Sequence, residues 1–384
     1  QTFSVNSWDF HWRNLACPLS AIKPDIRLAG ELPARHTRGL GISGRTAKMN
    51  ERKVIEQPYL LFLGDAYDQL AAKTARGIVD WRRDWCLGQL RLEGCQASAG
   101  IPDISVAEAA EAGARTLVVG VANRGGVIPD NWLETLGAAL DRGMDLASGL
   151  HMRLSDIPVL SDKAKERGAS LFDVRHPARD FPLGSGEKRP GKRLLTVGTD
   201  ASVGKMYTTL AIERELNARG VKADFRATGQ TGIFIAGDGA SVDAVVSDFV
   251  SGAAEWLSPA NAPDHWDLIE GQGSLFHPSF AGVTLGLIHG AQPDAIVLCH
   301  EPTRTHMRGL PGWPLPDLRE CLAANLSAAR LTNPAVVCAG VAINSSQLSA
   351  DAAARLLGET SEALDLPCVD PMRGGVAPIV DRLL

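Results

Sequence analysis

The chain has 384 residues, enough for more than one core, and its composition is that of an ordinary α/β protein: 45% hydrophobic, 22% charged, 39 glycines. A net charge of −5, from 39 basic and 44 acidic residues, leaves no basic field to gather nucleic acid or anionic lipid. Seven scattered cysteines without a CxxC pair argue against a disulfide framework or zinc cluster and point to reduced thiols in the cytoplasm, and no run approaches the roughly 20 apolar residues of a membrane span.

In chain order, residues 1–48 set tryptophans and phenylalanines among arginines without apolar periodicity, and they read as a poorly ordered extension. From residue 49 to 176 short apolar runs alternate with helical stretches. "YLLFLGDA" is followed by "YDQLAAKTARGIVDW", and "ARTLVVGVA" by "PDNWLETLGAALDRG"; "MDLASGL" and "ASLFDV" come next. That alternation predicts a parallel sheet with crossover helices, its ligand-facing turns at the strand ends. Residues 177–192, rich in proline, glycine and charge, read as a linker. The pattern restarts over 193–384 with "RLLTVGT", "ADFRATG", "WDLIEGQG", "DAIVLCHE" and "AVVCAGVAIN", separated by helices such as "VDAVVSDFVSGAAEWL" and "LRECLAANLSAARL". Two parallel-sheet α/β domains are therefore expected.

The second domain opens with "VGTDASVGKMYTTLAIERELNARG". Gly198, Gly204 and Lys205 satisfy the GxxxxGK spacing between a β run and an amphipathic helix, so Gly198, Thr199, Asp200, Ala201, Ser202, Val203, Gly204 and Lys205 should cradle a phosphate with backbone N–H groups, helix dipole and an exposed ammonium. Met206 stands where such loops carry a magnesium-binding hydroxyl. Thr208 is turned too far around the helix to substitute simply, at about 100° per residue. Such a loop suits a phosphate-bearing ligand that is held rather than cleaved, for example the pyrophosphate of coenzyme A.

"GTDASVGK" and "EGQG" resemble the dethiobiotin synthetase group of P-loop proteins. Nearly the whole chain after Met49, through "TVGTDASVGKM", "ATGQTGIFIAG" and "DLIEGQGSLFHPSFAGVTLGLIHGAQPDAIVLCHEP", is similar to a family long of unknown function whose members are described as D-glutamate N-acetyltransferases. The resemblance implies a Rossmann-like N-terminal domain, a P-loop NTPase-like C-terminal domain, acetyl-CoA as cosubstrate and a D-amino acid, D-glutamate foremost, as acceptor. The expected partners are that small molecule and further copies of the chain as a homo-oligomer.

For such a transfer a base must take the amine proton and donors must meet the thioester oxygen. Glu270, at a strand end, can accept a proton or hold a metal, and alternatively orders its loop. His277 is a second candidate base, unless backbone groups satisfy it. Gln272 and Gln230 are candidate donors, and Thr231 should face the same cleft. His300 and Glu301, beside Thr303 and Arg304, cluster at another strand end. In the first domain Asn123 and Arg124 lie on a glycine-rich turn, where Arg124 could pair with a carboxylate or simply cap the scaffold. Arg226 reads equally as a phosphate contact or a structural salt bridge, and His289 as structural. No resident metal is expected. The rival reading is an ATP-dependent ligase or kinase with magnesium held by Asp200, Glu270 or Thr208.

Overall fold

"YLLFLG" contains no charged side chain, and all six positions are buried, as a strand covered on both faces requires. In the computed structural model, which describes residues 54–384 except 124 and 178, it is β1 (Tyr59–Gly64), joined by β2 (Cys86–Arg91), β3 (Thr116–Val119), β4 (Asp145–Ser148) and β5 (Leu171–Asp173). The order is β2-β1-β3-β4-β5 and every pairing is parallel. Its helices are α1 (Lys73–Trp81), α2 (Val106–Glu111), α3 (Leu133–Asp141) and α4 (Pro158–Arg167). The expectations for residues 1–48 and for Arg124 lie outside the described residues.

The second sheet comprises β6 (Lys192–Gly198), β7 (Ala223–Arg226), β8 (Trp266–Ile269), β9 (Ala295–His300), β12 (Val337–Ile343) and β13 (Cys368–Val369). Its order is β13-β12-β9-β6-β8-β7, again all parallel. A short hairpin of β10 (His306–Met307) and β11 (Leu310–Pro314) follows β9. The helices are α5 (Lys205–Ala218), α6 (Gln230–Ala236), α7 (Val250–Leu257), α8 (Ala281–Ala291), α9 (Leu318–Arg330), α10 (Ala350–Leu364) and α11 (Ala377–Asp381).

Both sheets reverse direction of travel at their first strand: β1 lies between β2 and β3, and β6 between β8 and β9. Such switch points open a crevice beyond the carboxyl ends of the strands. Packing joins the two sheets rather than leaving them side by side. The buried cluster around β1 takes in Leu210 of α5, Phe225 and Ala227 from the β7 region, and Ile233, Phe234 and Ile235 of α6. The Tyr59 hydroxyl donates to the Phe234 carbonyl (3.1 Å), and the Ile55 N–H to that of Gly237 (2.8 Å).

Two expected helices are shorter than their apolar patterns. The stretch 67–81 becomes helical only at Lys73, because the Asp68 carboxylate accepts the Ala71 N–H (2.8 Å) and stabilises a turn in place of a first helical turn. The stretch 242–257 begins with two 3₁₀ turns separated by the β-branched Val245 and Val246, and α7 starts at Val250.

Candidate functional site

The loop between β6 and α5 bends through Ser202 (φ 54°) and Gly204 (φ 101°), a left-handed path that glycine takes freely and serine takes at a cost. Its outer wall comes from the segment after β9. Arg304 donates to the Asp200 carboxylate (2.8 Å) and to the carbonyls of Ala201 and Ser202 (2.7 Å each), while Arg308 bonds the Ser202 hydroxyl through its guanidinium and Asp200 through its N–H (2.8 Å). Among the described residues, the N–H groups of Ser202, Val203, Gly204, Lys205 and Met206 have no hydrogen-bond partner. Unpaired N–H groups gathered at a helix start, running from the exposed Ser202 to the buried Val203 and Lys205, are laid out for an anion.

Lys205 is not the exposed ammonium expected: it is buried, and Nζ donates to the carbonyls of Asp200 and Gly273 (2.9 Å each). Burial pulls its pKa down to about 8, against the nearby negative groups. The Thr208 hydroxyl donates to Gly204 O (3.0 Å), so it serves its own helix. Met206 is partly buried against the β1 cluster, with its methyl near Gly77 of α1. The residue in place of the hydroxyl thus fastens the phosphate-loop helix to the other sheet.

Glu270, just past β8, is buried, and Oε2 accepts the N–H groups of Thr228 (2.9 Å) and Gly229 (3.1 Å). Burial raises its pKa above the ordinary carboxylate range, and these N–H groups with Lys205 offset part of that rise. The glycines of "ATGQTG" and "EGQG" are explained by crowding. A Cβ at Gly232 would strike the Glu270 carboxylate, and one at Gly271 the Thr196 carbonyl.

A cleft of about 360 Å³ lies over Glu270, lined from the second sheet by Met206, Gly229, Gln230, Thr231, Asp243 and Gln272. From the first sheet it is lined by Lys73, Thr74, Ala122, Asn123, Gly149, His151 and Arg175, all beyond the carboxyl ends of strands. The structure therefore brings Glu270, Gln272, Gln230, Thr231, Asn123 and Met206 around one space. Asn123 also closes its own turn, bonding the N–H and carbonyl of Val127 (3.1 and 2.8 Å). Gln272 Nε2 donates to Thr228 Oγ1 (3.1 Å).

Other expected site residues stand elsewhere. His277 does not line this cleft: its ring stacks on Phe280, Nδ1 accepts the Ser279 N–H (3.1 Å) and Nε2 meets the Arg308 carbonyl (3.3 Å). With both nitrogens held by backbone, it is placed to brace the Arg308 segment rather than to take an amine proton. His300 Nδ1 shares a hydrogen bond with Thr199 Oγ1 (2.9 Å), and burial lowers its pKa. Glu301 pairs with Arg304 (3.1 Å), so this cluster buttresses the phosphate loop. Arg226 makes the structural salt bridge, with Nε 2.7 Å from the buried Asp267.

The Asp200 oxygens are taken by Ala201 N–H, Arg304 and Arg308, and Thr208 by its helix, so two of the three oxygen donors considered for magnesium are committed. Lys73, Arg175 and Asp243 were not singled out from the sequence, nor was Arg308. Lys73 sits inside an ordinary helical pattern and Arg308 in an irregular segment, and only strand order brings them to the cleft and the loop.

Comparison with known proteins agrees with this architecture. Residues 182–380 match the family described as "Domain of unknown function (DUF1611_C) P-loop domain", and residues 90–177 the "Domain of unknown function (DUF1611_N) Rossmann-like domain". The chain is 54% identical over 330 residues to a protein of Tritonibacter scottomollicae named D-glutamate N-acetyltransferase, covering 86% of this chain and 99% of that one. It is 49% identical over 329 residues to a protein of the same name from Pseudoalteromonas sp, with the same coverage. A crystal structure of a DUF1611 family protein from Anabaena variabilis superposes with a TM-score of 0.73 at 34% identity, over 85% of this chain and 99% of that one.

Proposed function

The chain belongs to the DUF1611 family of Rossmann-like and P-loop domain proteins, and from that membership and the cleft we infer that it is an acyltransferase moving an acetyl group to the amine of D-glutamate. The names of the two relatives support the reaction. The observation that carries the assignment onto this chain is the buried Glu270 carboxylate, facing a cleft that adjoins a phosphate cradle whose usual hydroxyl is Met206.

Acetyl-CoA is the donor this geometry suits. Its pyrophosphate would take the N–H row from Ser202 to Met206, with the Lys205 ammonium as counter-charge. The ammonium form of the acceptor has no lone pair to attack with, so Glu270 accepts its proton, aided by a carboxylate pKa above the ordinary range. The amine nitrogen then bonds the thioester carbon, the carbon–sulfur bond breaks, and the CoA thiolate leaves and is protonated. The amides of Gln230 and Gln272 at the cleft wall are the side-chain donors for the developing oxyanion. No metal is required, because the thioester supplies the driving force. Further copies of the chain in a homo-oligomer and residence in the cytoplasm belong to the same proposal; no helix among the described residues is long and apolar enough to cross a membrane.

The test is to incubate purified protein with acetyl-CoA and D-glutamate in excess EDTA, following free thiol and N-acetyl-D-glutamate together. Equal rates of both, without ATP, are expected. Absence of CoA release with any amino acid, accompanied by magnesium-dependent ATP hydrolysis, would replace this reading with the ligase.

A further inference from the structure

The charged residues lining the cleft are unevenly paired. Glu270 is held by backbone N–H groups, and Arg175 faces Asp243 at 3.4 Å. The ammonium of Lys73, an exposed residue at the cleft, has no hydrogen bond or ion pair with any described residue. It is the first residue of α1, so its ammonium adds to the positive end of that helix dipole, on the wall contributed by the first sheet. The guanidinium of Arg308 is near enough to lower its pKa further, beyond the effect of burial. An unpaired ammonium lining the cleft, with a second cation in its neighbourhood, is an arrangement that an anion would relieve.

Resting on the acetyl-transfer reading above, we propose that Lys73 is the counter-charge for the side-chain carboxylate of the acceptor, and so selects acidic over neutral D-amino acids. Glu270 needs the substrate amine close to it and would repel a carboxylate, so the acidic end of the acceptor is directed to the opposite wall. On that wall Lys73 is the described cation that no acidic side chain already neutralises. The two sheets then divide the work: the second supplies the base, the first reads the side chain.

The measurement is the ratio of kcat/KM for D-glutamate to that for D-glutamine, a neutral analogue of nearly the same shape. In Lys73→Met this ratio should fall roughly 10- to 100-fold, the loss expected for a hydrogen bond to a charged group. Lys73→Arg should recover part of it, since a cation remains. An equal fall for both substrates, or an effect confined to the KM for acetyl-CoA, overturns the inference. Glutarate, a dicarboxylate without an amine, gives a readout independent of catalysis. Calorimetry should detect its binding to the parent and a loss of at least 10-fold in Lys73→Met, by the same reasoning. Should the parent acetylate nothing, the acetyl-transfer reading fails by itself, while equal or absent glutarate binding in both proteins overturns the role of Lys73.

Discussion

Glu270 and Lys205 are a buried acid and a buried base held at one place, and burial moves their proton equilibria toward each other. Glu270 must be ionised to accept a proton, so the acid limb of kcat should lie above the ordinary glutamate value of about 4.3. Lys205 must be charged to meet a phosphate. The kcat/KM for acetyl-CoA should therefore fall above about pH 8, whereas kcat, which reports the bound complex, should hold to higher pH because the phosphate stabilises the ammonium. Stability follows with opposite signs. Above pH 8 the unfolded chain holds the lysine proton that the folded one has lost, so stability from this group rises with pH up to the ordinary lysine value of about 10.4; across the raised Glu270 range it falls as pH rises. A flat kcat/KM profile through pH 8 to 9 would remove Lys205 from the donor site. The glycine and lysine spacing made this loop legible in the sequence, but the burial of Lys205 was not, because depth depends on the Gly273 carbonyl 68 residues away.

At the scale of elements, α5 is held from both sides. Its start carries the phosphate loop, and its outer face meets α1, where Tyr207 donates to Asp80 (2.8 Å), Arg82 pairs with Glu213 (3.0 Å) and Met206 approaches Gly77. Met206→Thr would restore a hydroxyl at the loop and lose part of this packing. A cost of about 1–2 kcal/mol is expected, low among large-to-small core changes because the site is only partly buried. Chemical denaturation should show a lower midpoint at unchanged m, and acetyl transfer should not rise. A gain in magnesium-dependent transfer would show the methionine to be incidental. The sequence marked Met206 as a missing ligand, but its partner on α1 lies some 130 positions earlier and follows no periodic signal. For the same reason α6 was hidden: only Gln230 and Thr231 stood out in "QTGIFIA", as cleft-facing residues, and its Ile233, Phe234 and Ile235 make sense only against β1. The alternation of apolar runs and helices was legible, because parallel strands must be apolar on both faces. The position of β2 at a sheet edge was not, since "CLGQLR" alternates weakly.

Over the whole molecule, two sheets with independent strand orders share an apolar cluster, so they should unfold as one. Calorimetric and van't Hoff enthalpies should agree, and two resolved transitions would contradict the joint core. The sequence suggested two domains with a connector, a division that follows from backbone pattern and is silent about side chains crossing it. That crossing has a consequence for traffic through the site. Enzymes with a cleft between two lobes often admit substrate by swinging the lobes apart about a hinge. Here such a swing would expose Phe234, Ile233 and the faces of Tyr59 and Ile78 they help to cover, at about 25 cal/mol for each Å² laid open. Loop displacement exposes far less, so entry and product exit are expected through short turns at the cleft rim such as 149–152, with the lobes closed.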